Sequence, residues 1–386
     1  MLRIGVIGHG SRIQCMLERM EVFDIPYRVA AVGDPRWQQI KAAGHKWLEG
    51  CEYFPDGAQM IEQAGELDGI MIGTRCFMHA DDAIRAARRQ VPLFVEKPVA
   101  ITFDQVRRLA AAFDGYKPPV VVSFPLRVTQ MIKQVKHLLD QDAIGRIDQV
   151  IAFNDVPYGG GYYSGWMRDL EQTGGLWLQK ATHDMDYLNH LIGRKPVGVF
   201  AMSSRRVYGG SKPNDLRCGQ CQEMKTCPES SFNLFYQGLK GAKVNWEGRR
   251  CPFAKEVADH DNGSALVEYE DGLQVNYTQN FFARHKAERR GARLYGHKGT
   301  LEFDWYTDKI RLFSHRFPTA STIELAEIRQ HWGGDRELSW DWLMAMKEHQ
   351  PSRCPMSAGI LSALMCLWAR QSSQSRQYCR IEMPAE

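Results

Sequence analysis

No apolar run in the 386-residue chain approaches the roughly twenty residues that a membrane-spanning helix needs. One-signed charge blocks are also missing. The 49 Lys and Arg and 45 Asp and Glu are mixed along the whole sequence and leave a net +4. That distribution argues against nucleic acid or a membrane surface as partner. Internal repeats and low-complexity tracts are absent, and the first strand pattern begins at the second residue, with no room for an export leader. A cytoplasmic protein is expected. Its ten cysteines, diluted over a long chain, are then expected as reduced thiols, four of them a separate case.

What is present is enough apolar material, 44% of residues, for two domains. Over residues 1–124 strand patterns at 2–7, 27–33, 67–73, 92–95 and 120–124 alternate with helical ones. The segments IMIG, LFVE and VVVSF are continuously apolar, as strands covered by helices on both faces must be. The expectation is an α/β fold, a Rossmann-type doubly wound parallel sheet. From 125 to 386 the pattern shifts to extended runs at 198–207, 264–269, 274–280, 292–296 and 300–305, with tight turns such as EDG and HKG. Helical patterns at 175–192, 337–348 and 358–372 accompany them. This half reads as an α+β domain with a large, mostly antiparallel sheet.

Between the first strand and its helix lies GVIGHGSRI, residues 5–13. Gly8 permits a tight turn and Gly10 a close approach of backbone to a pyrophosphate, with His9, Ser11 and Arg12 in the same turn. The third small residue of the dinucleotide fingerprint is Ile13 instead, expected to hold the helix slightly off the strand. Asp34 closes the second strand where a carboxylate receives ribose hydroxyls and repels a 2′-phosphate, which favours NAD over NADP. Arg36, two residues on, could still pair with a phosphate.

The successive segments GVIGHGSR, GTRCFMHADDAIRAA and FVEKPVA resemble, in order and spacing, the cofactor motifs of the Gfo/Idh/MocA oxidoreductases, named for glucose-fructose oxidoreductase and inositol dehydrogenase. YYSGWMRDLEQTGGLWLQKATHDMD and HWGGDRELSWDWL extend the resemblance over nearly the whole chain. It implies that Glu96, Lys97 and Pro98 close a nicotinamide pocket, with Thr74 and His79 beside the cofactor and Arg127 in the cofactor-binding set. It also implies a dimer or tetramer. Arg75 stands where the family usually has proline.

Lys97 follows an apolar strand and precedes a proline, at the sheet edge where doubly wound folds bind ligands. Lys180, His183 and Asp186 recur at i, i+3 spacing and so share a helix face. The aspartate that the family carries four residues before this histidine is Gln179, and Lys180 reads as the replacement. The expected chemistry is oxidation of a secondary alcohol of a sugar, glycoside or cyclitol, with His183 as general base and Lys97 stabilising the alkoxide. Tyr162, Tyr163, Trp166, Arg168 and Asp186 read as substrate-binding; aromatic packing is the plainer reading of that cluster, and a hydrogen-bonded core histidine that of His183. Two rival outcomes remain. One is redox-assisted glycoside cleavage with recycled NAD, and the other a non-catalytic nucleotide-sensing protein.

Cys218, Cys221, Cys227 and Cys251 lie in an excursion over 208–256 that is poor in core formers. Four thiolates on a structural zinc would staple it, and unrelated thiols are the alternative. The basic run ARHKAERRGAR, 283–293, reads either as a solvated strand end or as an attractor for an acidic sugar. Since the helices suffice for one face of the second sheet only, the other face is expected to meet a second copy, in a homo-oligomer.

Overall fold

The computed structural model describes residues 1–236, 248–326 and 331–383. Its first sheet has six parallel strands: β1 (Leu2–Ile7), β2 (Tyr27–Gly33), β3 (Glu52–Phe54), β4 (Gly69–Ile72), β5 (Leu93–Val95) and β6 (Val120–Val122). Their order is β3-β2-β1-β4-β5-β6, so the winding reverses between β1 and β4 and leaves a crevice at the carboxyl ends. Ile4, Val6, Ile70, Met71, Ile72, Phe94 and Val121 are fully buried, which is why these strands read as unbroken apolar runs. Sequence reasoning did not find β3. It is three residues long at a sheet edge, and none of them is buried.

The helix Ser11–Met20 follows the glycine turn, and Ile13 does not lift it off the sheet. Ile13 is fully buried against Gly73, where an added Cβ would lie 2.2 Å from Ile13 Cγ1. The space that the missing small residue would have supplied comes from glycine on the neighbouring strand end.

The second sheet has nine strands: β7 (Ile147–Asp155), β8 (Pro196–Ser204), β9 (Asn262–Tyr269), β10 (Gln274–Asn280), β11 (Arg289–Gly296), β12 (Gly299–Asp304), β13 (Lys309–Ser314), β14 (Ala320–Glu324) and β15 (Cys379–Arg380). The order is β14-β13-β12-β11-β7-β10-β9-β8-β15, antiparallel except where β10 runs parallel to β7. Val267, Val275 and Tyr277 face inward, under the helices Thr182–Ile192 and Met356–Ser375. Leu266 faces outward at 41% exposure, beside the exposed Phe200, Met202 and Ile151. Helices thus cover one face, as their small number implied.

Two elements depart from the sequence pattern. The expected helix over 175–192 opens with a wide π turn, Trp177–Ala181, before the α-helix Thr182–Ile192. Gly174 and Gly175, both at positive φ, precede it. The helix Gly334–Glu348, late in the chain, packs on the first sheet, where Trp342 lies against Gly69 and its ring centroid is 6.0 Å from that of Phe94.

The excursion over 208–256, of which 237–247 lie outside the described residues, corrects the zinc expectation. Cys218, Cys221, Cys227 and Cys251 form no disulfide, and among the described residues no three metal-ligating side chains gather to hold an ion. Tyr163, Tyr208, Ala254, Val257 and Phe281 form a small core, with the Tyr163 and Tyr208 rings stacked at 4.2 Å. The fully buried Asp261 accepts the backbone N–H groups of Arg206, Val207 and Tyr208.

Candidate active site

A cavity of about 990 Å³ runs from the glycine turn of the first domain to the sheet of the second. At its nucleotide end Gly8 has φ +78, and an added Cβ would lie 2.7 Å from the Thr74 amide nitrogen, so only glycine fits. Gly10 caps the helix Ser11–Met20 without a side-chain bond, leaving the first N–H groups open toward an anion. Asp34, 2% exposed, accepts the His9 N–H at 3.0 Å, the Arg36 N–H at 2.8 Å and the Arg36 guanidinium. Burial alone would raise its pKa, but Arg36 outweighs that and holds the carboxyl below its ordinary range. Arg36 is thereby committed to Asp34.

Further along, Arg12 ties three segments together. It reaches Glu96 at 3.1 Å, Ser123 at 3.2 Å and Asp335, from the late helix, at 2.7 Å. His79 is buried and bridges two loops, contacting Pro98 O at 2.8 Å and Thr74 O at 3.1 Å, while Thr74 Oγ1 donates to Asp82 at 2.8 Å.

Where the domains meet, Lys97 Nζ donates to the Gln179 carbonyl in the π turn at 2.6 Å. Burial, reinforced by Lys180 and Arg12 and opposed by Cys76 and Glu96, brings its amine down to about 8. Lys180 Nζ donates to the Tyr158 hydroxyl at 2.6 Å and stands 4.8 Å from the centre of that ring. Burial would raise the phenol, but Lys180, Arg290 and Lys97 lower it below its ordinary value. His183 is held well below the usual histidine range by burial and by the cations Lys97, Arg290 and Lys180. Its Nδ1 has no hydrogen-bond partner among the described residues. Arg290, 3% exposed, donates from Nε to Asp184 at 2.8 Å, and Asp184 also receives Asn154 and the Tyr277 hydroxyl.

The cavity wall gathers Gly8, Gly10, Ser11, Arg12, Asp34, Arg36, Thr74, His79, Glu96, Lys97, Lys180, His183, Tyr162 and Trp166. Six other site residues singled out in the sequence lie elsewhere, Pro98 among them, its carbonyl against His79. The buried His9 ring faces His45 and Trp47. Arg127 and Asp186 pair with each other at 2.6 Å away from the wall, Asp186 lying one helical turn beyond His183. Tyr163 donates to His260 O inside the small core, and Arg168 is buried against Cys251 O, Asn214 O and Glu256. Tyr158 and Arg290 are the residues that sequence reasoning missed. Tyr158 stands next to the quoted YYSGW segment in a glycine-rich connection. Arg290 was hidden in the basic run, where strand alternation turns it inward and leaves Arg289 out.

A glycine turn, an open helix N-terminus and a strand-end carboxylate, sharing one cavity with a lysine and histidine cluster from a second domain, define a dinucleotide-dependent oxidoreductase. Residues 2–124 match the profile described as "Oxidoreductase family, NAD-binding Rossmann fold", and residues 132–302 match the "GFO/IDH/MocA C-terminal domain". The chain belongs to the GFO/IDH/MocA oxidoreductase family. YteT of Bacillus subtilis (strain 168) is 24% identical over 373 residues, covering 87% of both chains. Inositol 2-dehydrogenase of Rhizobium meliloti (strain 1021) is 27% identical over 203 residues, 53% of this chain and 58% of that one. Among solved structures, levoglucosan dehydrogenase in complex with NADH and levoglucosan superposes with a TM-score of 0.76 at 17% identity, over 98% of this chain and 99% of that one. No helix among the described residues is long and apolar enough to cross a membrane.

Proposed function

We propose that the chain is an NAD-dependent dehydrogenase that oxidises a secondary alcohol of a sugar, glycoside or cyclitol. The observation that carries this reading is the single cavity in which Asp34 and the glycine turn at one end meet Lys97, His183, Lys180 and Tyr158 at the other. The dinucleotide would rest on Gly8, Gly10 and the helix N-terminus, with ribose hydroxyls on Asp34. Because Arg36 is engaged by Asp34, a 2′-phosphate would meet a carboxylate rather than a free guanidinium, which favours NAD over NADP. When bound, nicotinamide supplies the hydride acceptor.

The chain's own residues handle the proton. An efficient general base has a pKa near the working pH, and Lys97, brought down to about 8, meets that condition. His183 is surrounded by cations that oppose its protonation, so it is better suited to orient the hydroxyl as a neutral imidazole. The roles first read from the sequence are therefore exchanged. Lys97 takes the hydroxyl proton, and Lys180 polarises Tyr158 as a second proton-handling group.

That second pair favours one alternative, redox-assisted glycoside cleavage, in which an extra acid and base serve the elimination and hydration steps. One screen separates the two: NADH formation and sugar release measured together over sugars, uronic acids, cyclitols and glycosides. Steady NADH accumulation supports the dehydrogenase, sugar release without net NADH the cleavage, and tight NAD binding with no turnover overturns both. For the assembly, we propose that the outward face of the second sheet meets a second copy. Phe200, Leu266, Asn276 and Ile151 stand in register across four adjacent strands there, with the three apolar residues 37 to 41% exposed. Light scattering that finds a monomer at micromolar concentration overturns this.

A further inference from the structure

The charges on the cavity wall are not evenly shared. Its four carboxylates, Asp34, Asp56, Asp82 and Glu96, all come from the first domain. Each is already engaged: Asp34 by Arg36, Asp56 by the Gln59 N–H, Asp82 by Thr74, and Glu96 by Arg12. From the second domain the wall receives Lys180, His183, Arg290 and His331 and, among the described residues, no carboxylate. Gln179 stands on that wall where the family resemblance places an aspartate. Behind the wall, Asp335 is taken by His331 and Arg12, and Asp184 accepts from Arg290 Nε. Arg290 Nη2 is buried and has no hydrogen-bond partner among the described residues. A buried guanidinium edge without an acceptor costs the fold free energy unless a ligand supplies one.

Resting on the dehydrogenase reading above, we propose that the substrate is a uronate, a sugar whose carboxylate is received by Arg290 Nη2 with Lys180 beside it. A carboxylate matches what is left there. One guanidinium edge and one ammonium suit a single negative charge, and a dianionic phosphate would need more donors than the free edge provides. Burial first, then repulsion from Arg290 beside Lys180 and from Lys180 beside Lys97, hold both lysines below the ordinary lysine range. An arriving anion relieves that repulsion, so substrate charge and the proton-handling residues are coupled.

The experiment compares wild-type kcat/KM in NAD reduction for glucuronate and galacturonate against glucose and galactose, with glucose 6-phosphate as a third arm. One charge-assisted bond corresponds to about a tenfold to hundredfold preference for the uronates. Arg290→Gln narrows the ratio of uronate to aldose by a similar factor, mainly through KM, and Lys180→Gln narrows it further. Because Arg290→Gln leaves Asp184 without its cation and can misfold, the wild-type ratio stands as a test without it. Equal or better turnover of the neutral sugars, or preference for the phosphate, overturns the proposal and leaves the dehydrogenase reading intact. If no sugar is turned over, dissociation constants of the same compounds for the protein–NADH complex decide. Tighter uronate binding supports the anion subsite while the dehydrogenase reading fails, and equal or absent binding overturns the subsite.

Discussion

Lys97 allows the sharpest test of the proton-transfer assignment. Its amine is brought from 10.5 to about 8, first by burial and then by Lys180 and Arg12, against the opposing pull of Cys76 and Glu96. At about pH 7.4 roughly a fifth of such an amine is neutral, compared with roughly one part in a thousand for an ordinary lysine. The difference corresponds to about 3 kcal/mol in favour of the neutral form. kcat/KM for alcohol oxidation should therefore rise with pH through a limb centred near 8 and level off above it. Lys180→Met removes a neighbouring cation and should move the limb upward. Lys97→Met should abolish the limb and lower the rate about a hundredfold to ten-thousandfold. Lys97→Arg should do the same, because a guanidinium keeps the charge and cannot release its proton. Initial rates of NADH appearance across pH, with NAD binding checked for each variant, give the answer. A limb near 8 that persists in Lys97→Met, or a wild-type rate that falls through 8, refutes the reasoning.

The same lysine bears on stability: its folded-state pKa lies below the unfolded one, so charging it weakens the fold below about 8, and this contribution should improve as pH rises from 8 toward 10.5. Denaturant midpoints across that window should climb in the wild type and flatten in Lys97→Met. Asp34→Ala should weaken NAD binding about tenfold to hundredfold and, by freeing Arg36, narrow the margin over NADP, as titration with both nucleotides would show. Arg127→Met strands the fully buried Asp186 carboxylate and should cost about 3 to 5 kcal/mol of stability, with partial recovery on adding Asp186→Asn. Gly73→Ala places a Cβ 2.2 Å from Ile13 Cγ1 and should cost about 1 to 3 kcal/mol, with Ile13→Ala restoring part of it.

The sequence by itself determined the features that rest on local stereochemistry and on which faces must be buried. Continuous apolar strands announced a sheet covered on both sides, and Gly8 announced a turn that a side chain would block. The position of Asp34 followed from the end of the apolar run before it, since the residue after a strand of this sheet lies at its carboxyl edge. Alternation in β9 and β10 separated Leu266 from Val267, Val275 and Tyr277 because successive side chains on a strand point to opposite faces. Only the tertiary structure decided which chemistry-bearing residues share the cavity. Lys180, His183 and Asp186 looked equivalent at helical spacing, but Asp186, a turn further along the helix, is taken by Arg127 away from the wall. Tyr158 and Arg290 lie 132 residues apart in the numbering and belong to a connection and a strand, so no local pattern could join them. The antiparallel pairing of β7 with β11 brings Arg290 opposite Asn154, four residues before Tyr158. Four cysteines in one excursion suggested a metal staple because spacing counts ligands but not distances. Among the described residues no three of those ligands gather, and the small core around Tyr163 and Tyr208 comes from segments distant in sequence that no spacing could join.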